Sequence, residues 1–137
     1  MTNDTRTKFL IALFWLALAF AVTMAVLPKP PHTPFDRFGD KFEHMLAFGV
    51  LAGLGVGAFP TLPLSRLAER LSFLGALIEV TQSIPALHRD CDIRDWVADT
   101  LAIVLVLSLV RLYVSWELRA RTNQLIARAV RSKRKLQ

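Results

Sequence analysis

The sequence predicts an all-α integral membrane bundle of four transmembrane helices, followed by a basic amphipathic helix on the cytoplasmic side. Hydrophobic residues make up 53% of the 137 residues, above the roughly 45–50% that is usual in soluble domains. Four long apolar segments divide the chain, and about 20 apolar residues are enough for one helix to cross a bilayer. Charged residues, 20% of the total, are bunched at the ends of these segments, as in membrane proteins.

The first apolar segment covers residues 9–27 and contains no charged side chain. Arg6 and Lys8 precede it, a pattern that a cleaved signal peptide shares. Because the apolar run is longer than the roughly 7–15 residues of a usual signal core, we expect an uncleaved helix. Four prolines follow and end this helix: Pro28, Pro30, Pro31 and Pro34.

The second segment covers residues 40–59 and carries glycines four residues apart. These are Gly49, Gly53 and Gly57. Small residues at this spacing let helix backbones approach each other closely in lipid. The third segment, residues 67–87, holds Glu79 and Gln82 inside apolar sequence, and Pro85 marks its exit.

The fourth segment covers residues 95–116, and its central part is almost wholly apolar. Tyr113 and Trp116 suit the aromatic belt found at membrane surfaces. The remaining residues, 117–137, are rich in arginine and lysine and are expected to form an amphipathic helix that lies on lipid. The chain therefore divides into a four-helix membrane domain, residues 1–116, and a basic cytoplasmic tail.

Positive charges in short loops indicate which side of a membrane is cytoplasmic. In a four-helix chain, the N-terminus, the loop between the second and third segments and the C-terminal tail share one side. These regions contain Arg6, Lys8, Arg66, Arg70, Arg119, Arg121, Arg128, Arg131, Lys133, Arg134 and Lys135. We therefore predict a multi-pass protein of the cell inner (plasma) membrane with both termini in the cytoplasm.

The net charge of +6 comes largely from the tail, which we expect to bind anionic lipid head groups. No nucleic-acid partner is predicted, because no stacking aromatic residues lie among these charges. The only cysteine is Cys91, so no disulfide forms within the chain.

A separate group of polar and ionisable residues gathers at the extracytoplasmic end of the predicted bundle. The candidate ligand-binding residues are Asp40, His44, Glu79, Gln82, Arg89, Asp92, Asp95 and Asp99. Steps of three and four residues place Asp92, Asp95 and Asp99 on one face as the fourth segment begins. A charged side chain at the centre of a membrane helix costs about 2.5–3.5 kcal/mol. Glu79 and Asp99 are therefore expected to point into the bundle.

The acids in this group outnumber the bases, so we expect a carboxylate to hold a proton or a cationic group to sit there. The catalytic candidates, if the protein is an enzyme, are Glu79 as general acid or base and His44 as proton relay. A purely structural polar lock between helices is the competing interpretation. Neither a metal nor a cofactor is predicted, since zinc and calcium motifs are absent from the sequence, although His44 with carboxylates leaves a divalent cation open as an alternative.

Three sequence stretches together resemble the VanZ-like family of membrane proteins. The stretches are Asp40-Lys41-Phe42-Glu43-His44, then Gly75-Ala76-Leu77-Ile78-Glu79-Val80-Thr81-Gln82, then Arg89, Asp92, Asp95 and Asp99. Their order and spacing agree with the family over residues 40–107. Asp99 stands where the family pattern has Asn, and Ala102 where it often has Gly. The resemblance implies a small helical membrane protein of the cell envelope, in a family named for resistance to the glycopeptide teicoplanin.

These observations lead to one main functional hypothesis and three alternatives. The main hypothesis is an envelope protein whose polar pocket binds an amphiphilic or lipid-linked ligand, with Arg89 holding an anionic group of that ligand. The alternatives are a membrane-embedded enzyme acting on a lipid-linked substrate, a subunit of a larger membrane complex or homo-oligomer, and a small transporter. The sequence alone leaves the choice among them open.

Overall fold

The computed structural model describes residues 3–28, 39–87 and 91–134, the side chains of residues 3, 40, 128–130 and 132–134 excepted. Within these ranges the chain is helical and contains no β-strand. The elements are α1 (Asn3–Val26), α2 (Asp40–Ala58), α3 (Leu64–Gln82), a short 3-10 turn (Pro85–Leu87) and α4 (Ile93–Arg134). The predicted all-α class is confirmed.

Helix α1 begins six residues before the predicted start of the first segment. The added turn is polar, and an ion pair between Lys8 Nζ and Asp4 Oδ2 at 2.7 Å joins residues four apart on its surface. Asp4 also carries a negative charge in the first turn, where the helix dipole favours it. The apolar pattern alone therefore placed this boundary too late.

Helix α2 begins at Asp40, as predicted, and ends at Ala58. Gly39 precedes it at a φ of 84°, a backbone conformation that glycine adopts without a steric penalty. At the other end, the N–H of Phe59 donates to the carbonyl of Gly55, and Pro60 follows. These two features define where the helix begins and ends.

Helix α3 starts after Pro63 and ends at Gln82, five residues before the predicted end of the third segment. Pro85 causes the difference, because proline lacks an N–H and cannot continue an α-helix. The residues from Pro85 to Leu87 form the 3-10 turn instead.

Helix α4 continues past Trp116, where the fourth segment was expected to end, and runs without interruption to Arg134. By packing, the chain divides into two compact units, Met1–Leu107 and Ser108–Gln137. The separate cytoplasmic tail over residues 117–137 stays a prediction.

The first unit has an apolar core formed by residues from all four helices. Buried members include Phe14, Leu51, Ala52, Leu67, Leu71, Ile78 and Ile103. The rings of Phe14 and Phe59 pack edge to face with their centres 5.1 Å apart. At Gly55 an added Cβ would lie 2.9 Å from Leu67 Cδ1, so the glycine allows α2 and α3 to approach closely.

Among the described residues, two helices are long and apolar enough to cross a membrane, over Asp4–Val26 and Ile93–Ala127. Most residues of both stretches are not buried, unlike those of a core helix in a soluble protein. Helices α2 and α3 carry charged side chains near their ends, which lowers their apolar character. Two such helices point, weakly, to a membrane protein.

Candidate functional site

Polar side chains from three helices meet where α2 and α4 begin and α3 ends. We call this group the polar cluster. Its members are Lys41, His44, Glu79, Asp92, Asp95 and Asp99. Asp92 lies just before α4, and the other members lie within the first two turns of α2 and α4 or the last turn of α3.

The outer part of the polar cluster is an ion-pair group centred on Lys41. Its Nζ donates to Asp92 Oδ2 at 2.8 Å and to Asp95 Oδ1. The side chains of Lys41 and Asp92 are 50% and 39% exposed, so water reaches this part. The hydrogen bond from Lys41, and that from the N–H of Arg94 to Asp92 Oδ1, lower the pKa of Asp92 below its usual range.

The inner part of the polar cluster lies about one helical turn deeper. His44 follows Lys41 by three residues and Asp99 follows Asp95 by four, so each lies beneath its predecessor on the same helix face. His44 Nδ1 is 3.4 Å from Asp99 Oδ2, a long contact for a hydrogen bond. Asp99 is 1% exposed and His44 is part-buried. The two pairs form successive layers between α2 and α4.

Glu79 joins the cluster from α3, the third helix. It is 5% exposed, and its Oε2 accepts a hydrogen bond from the N–H of Asp92 at 3.0 Å. Its second oxygen, Oε1, is buried and has no hydrogen-bond partner among the described residues, and the same is true of Asp99 Oδ1. A buried polar atom without a partner typically costs about 1–3 kcal/mol, and more when it is charged.

Next to the polar cluster, α3 and α4 are joined by a second, uncharged group. Trp96 Nε1 donates to the carbonyl oxygen of Ser72 at 3.0 Å. The hydroxyls of Ser72 and Thr100 are 2.9 Å apart. An added Cβ at Gly75 would lie 3.4 Å from the Trp96 ring and 3.7 Å from Asp99 Oδ2. These are ordinary van der Waals distances, so α3 packs closely against Trp96 and Asp99 at Gly75.

Gln82 is buried one turn beyond Glu79, but its amide is bonded elsewhere. Gln82 Nε2 donates to the carbonyl oxygen of Ala25 at 2.9 Å. Ala25 lies in the last turn of α1, where backbone carbonyls have no partner within the helix. Gln82 thus ties the end of α1 to α3.

The structure brings five of the eight predicted ligand-binding residues into the polar cluster. They are His44, Glu79, Asp92, Asp95 and Asp99. Gln82 contacts α1 instead. The side chain of Asp40 and the whole of Arg89 lie outside the described residues. Whether any of the eight binds a ligand stays a prediction.

Two residues of this region, Lys41 and Trp96, are not among the eight predicted site residues. Lys41 bonds to acids 51 and 54 residues away, and no local spacing signals such a contact. The sequence did contain a signal for Trp96, since it follows Asp92 by four residues and precedes Asp99, on the same helix, by three.

Chemically, the described part of the cluster is rich in acceptors and poor in donors. Four carboxylates face the ammonium group of Lys41 and the ring of His44, with the charge of Arg94 near Asp92. No group of three or more His, Cys, Asp and Glu side chains in the described residues has the geometry to hold a metal ion.

No protein-family model, no curated protein and no solved structure matches the chain. The similarity to VanZ-like proteins therefore rests on the sequence motifs alone and stays a prediction.

Proposed function

We propose that this chain is a multi-pass protein of the cell inner (plasma) membrane with four transmembrane helices, whose polar cluster faces outward and binds the polar head of an amphiphilic or lipid-linked ligand. One observation supports this most strongly. Ionisable side chains are buried between the helices, whereas large apolar side chains are exposed around them. Water would favour the reverse distribution, and a lipid bilayer favours this one.

Adjacent residues on α3 show the contrast directly. Glu79 is 5% exposed and Val80 is 67% exposed. The same holds on α2, where Val50 is 47% exposed and the next residue, Leu51, is buried. All four helices expose such apolar residues, which supports four membrane-spanning helices even though composition alone singles out α1 and α4.

The single cysteine, Cys91, offers a test of the proposed orientation because it is exposed next to the polar cluster. We expect a membrane-impermeant maleimide to label it on intact spheroplasts. Desolvation and the nearby charge of Glu79 raise the pKa of the thiol, so labelling is run at pH 8 and normalised to detergent-solubilised protein. A Ser65→Cys variant in a Cys91→Ser background is the control, and it should be labelled only after permeabilisation. The reverse pattern would contradict the orientation.

The second unit supports the proposed contact with anionic lipid. Leu118, Leu125 and Ile126 are exposed on the same helix as several arginines. Apolar side chains inserted among lipid tails, with arginines at the phosphates, would anchor this C-terminal part of α4 at the inner surface. Association with another membrane protein or with a second copy remains part of the prediction.

The ligand-binding role is tested with purified protein and vesicles made from a total membrane lipid extract. Native mass spectrometry should show an amphiphile retained by the wild type and depleted in Glu79→Gln. Glu69→Gln is the matched control on α3, because Glu69 is exposed and pairs with Arg66 at the opposite end of that helix. Equal retention by all three proteins would contradict the proposal.

A link to teicoplanin resistance, which the family resemblance implies, would require a change in teicoplanin susceptibility upon expression.

An enzyme using the same cluster is the second candidate, and the contact between His44 and Asp99 favours it. A buried carboxylate beside a histidine ring can fix its tautomer and assist proton transfer. Glu79 would then act as the acid or base on a lipid-linked substrate. Turnover by the purified protein, lost in both Glu79→Gln and His44→Gln, would support this candidate over simple binding.

A further inference from the structure

Two carboxylate oxygens in the polar cluster are buried but unbonded. Glu79 Oε1 and Asp99 Oδ1 have no hydrogen-bond partner in the described part of the chain, although the other oxygen of each group is engaged. Both side chains are at least nine-tenths buried. Each oxygen therefore needs a donor that the described residues do not provide.

Protonation alone does not meet this need. A proton on Asp99 Oδ1 would remove the charge, but it would create a buried hydroxyl donor that also requires a partner. A group that brings several N–H donors and a positive charge would supply the missing donors and balance the acids.

The outer part of the cluster already shows such an arrangement. There the ammonium group of Lys41 donates to two carboxylates, Asp92 and Asp95. The two buried carboxylates, Asp99 and Glu79, have only His44 as a described basic neighbour, and its contact with Asp99 is long. The inner carboxylates thus lack the partner that the outer ones have.

We propose that the inner part of the polar cluster binds an ammonium group with N–H donors, carried at the head of the amphiphilic ligand. This rests on the proposed function and specifies its ligand class. A quaternary ammonium has the same charge but no N–H donor, so it should bind more weakly. An anionic head without an amine should be repelled by Glu79 and Asp99.

The test uses the purified full chain in a non-ionic detergent and three lipids with identical acyl chains. Their head groups are ethanolamine, choline and glycerol, each attached through phosphate. Native mass spectrometry measures the relative affinity of each. Because a hydrogen bond to a charged group changes binding by about tenfold or more, we expect the ethanolamine lipid to bind about tenfold more tightly than the choline lipid.

Variants assign the preference to the inner carboxylates. Glu79→Gln and Asp99→Asn should each remove most of it, whereas the exposed controls Glu69→Gln and Asp4→Asn should retain it. Retention of the full preference in both Glu79→Gln and Asp99→Asn would overturn the inference.

Two further arms separate the sources of an ammonium group. Competition by free ethanolamine would show that the amine alone is recognised. If free ethanolamine does not compete but the ethanolamine lipid is still preferred, the whole amphiphile is required. Either supports the inference. Equal displacement by sodium chloride and by ethanolamine chloride at matched ionic strength would identify a general cation effect and overturn it. If no lipid binds at all, the proposed function fails. If lipids bind without a preference for amines, only this inference fails.

Discussion

The two ends of the helix bundle in the first unit are held together by different interactions. At the end where α1 and α3 begin, α2 contacts them through apolar side chains, with Phe14 against Phe59 and Leu67 against Gly55. At the other end, the polar cluster joins α2, α3 and α4 through ion pairs and hydrogen bonds. We call the first region the apolar end.

From this difference we expect the apolar end to contribute to stability alone and the polar cluster to contribute to ligand binding as well. Close apolar packing satisfies every group that takes part in it, so the apolar end has no chemistry to offer a ligand. The polar cluster retains two buried oxygens without described partners, which is costly for folding and useful for binding. Substitutions at the apolar end should therefore change stability alone, and those in the polar cluster should change binding as well.

The largest stability effect is expected for Phe14→Ala at the apolar end. Phe14 is buried and packs against the ring of Phe59. We expect a loss of roughly 3 kcal/mol, the lower end of the range for truncating a buried aromatic residue, because lipid would solvate the unfolded side chain. SDS titration followed by circular dichroism measures this change. We also expect the folded fraction to keep its lipid selectivity. A loss of selectivity would show that the apolar end affects ligand binding as well as stability.

Gln82→Leu should give a smaller loss, about 1–3 kcal/mol, since it leaves the buried carbonyl of Ala25 without its donor. The same SDS titration applies. Gln82→Glu is the informative companion, because a carboxylate has no N–H and should destabilise as much or more. If Gln82→Leu has normal stability but impaired lipid binding, Gln82 belongs functionally with the polar cluster after all.

Trp96→Phe removes the indole donor to Ser72 while retaining an aromatic ring. We expect about 1 kcal/mol of destabilisation, the usual net value of one hydrogen bond. Lipid selectivity should persist, because the Trp96 indole donates to Ser72 and not to either unpartnered oxygen. A selective loss of binding with normal stability would instead place the indole in the site.

The smallest effect concerns the outer ion pairs and is lost in acid. Because its folded pKa is lowered, Asp92 stabilises the fold above its ordinary value of about 3.9, and this contribution is lost as pH falls through the folded value. Solvent exposure keeps the effect small. Wild type and Asp92→Asn should therefore differ in stability at pH 6 and converge towards pH 3. A constant difference would contradict this account, and Lys41→Met should shrink the difference at pH 6.

Local sequence patterns predicted the helices and much of the polar cluster, because both depend on short-range spacing. Helical periodicity correctly placed Asp95 and Asp99 one above the other. It did not reveal Lys41 as the partner of Asp92 and Asp95, since these contacts join distant parts of the chain.

The glycines four residues apart, Gly49, Gly53 and Gly57, also show that a local pattern does not reveal which residues meet between helices. An added Cβ at Gly53 meets nothing, whereas one at Gly57, in the same row, would lie 2.8 Å from Leu10 Cδ1, and one at Gly55, outside the row, would lie 2.9 Å from Leu67 Cδ1.

The central claim is that α2 and α3 expose their apolar faces to lipid while the acids point inward. Spin labels at Val50→Cys and Val80→Cys, each in a Cys91→Ser background, test it in reconstituted bilayers by power-saturation electron paramagnetic resonance. The account predicts that both labels collide more often with oxygen, which concentrates in lipid, than with a water-soluble nickel chelate. If the nickel chelate reaches these two positions more readily than oxygen does, neither helix lies in the bilayer and the account is wrong.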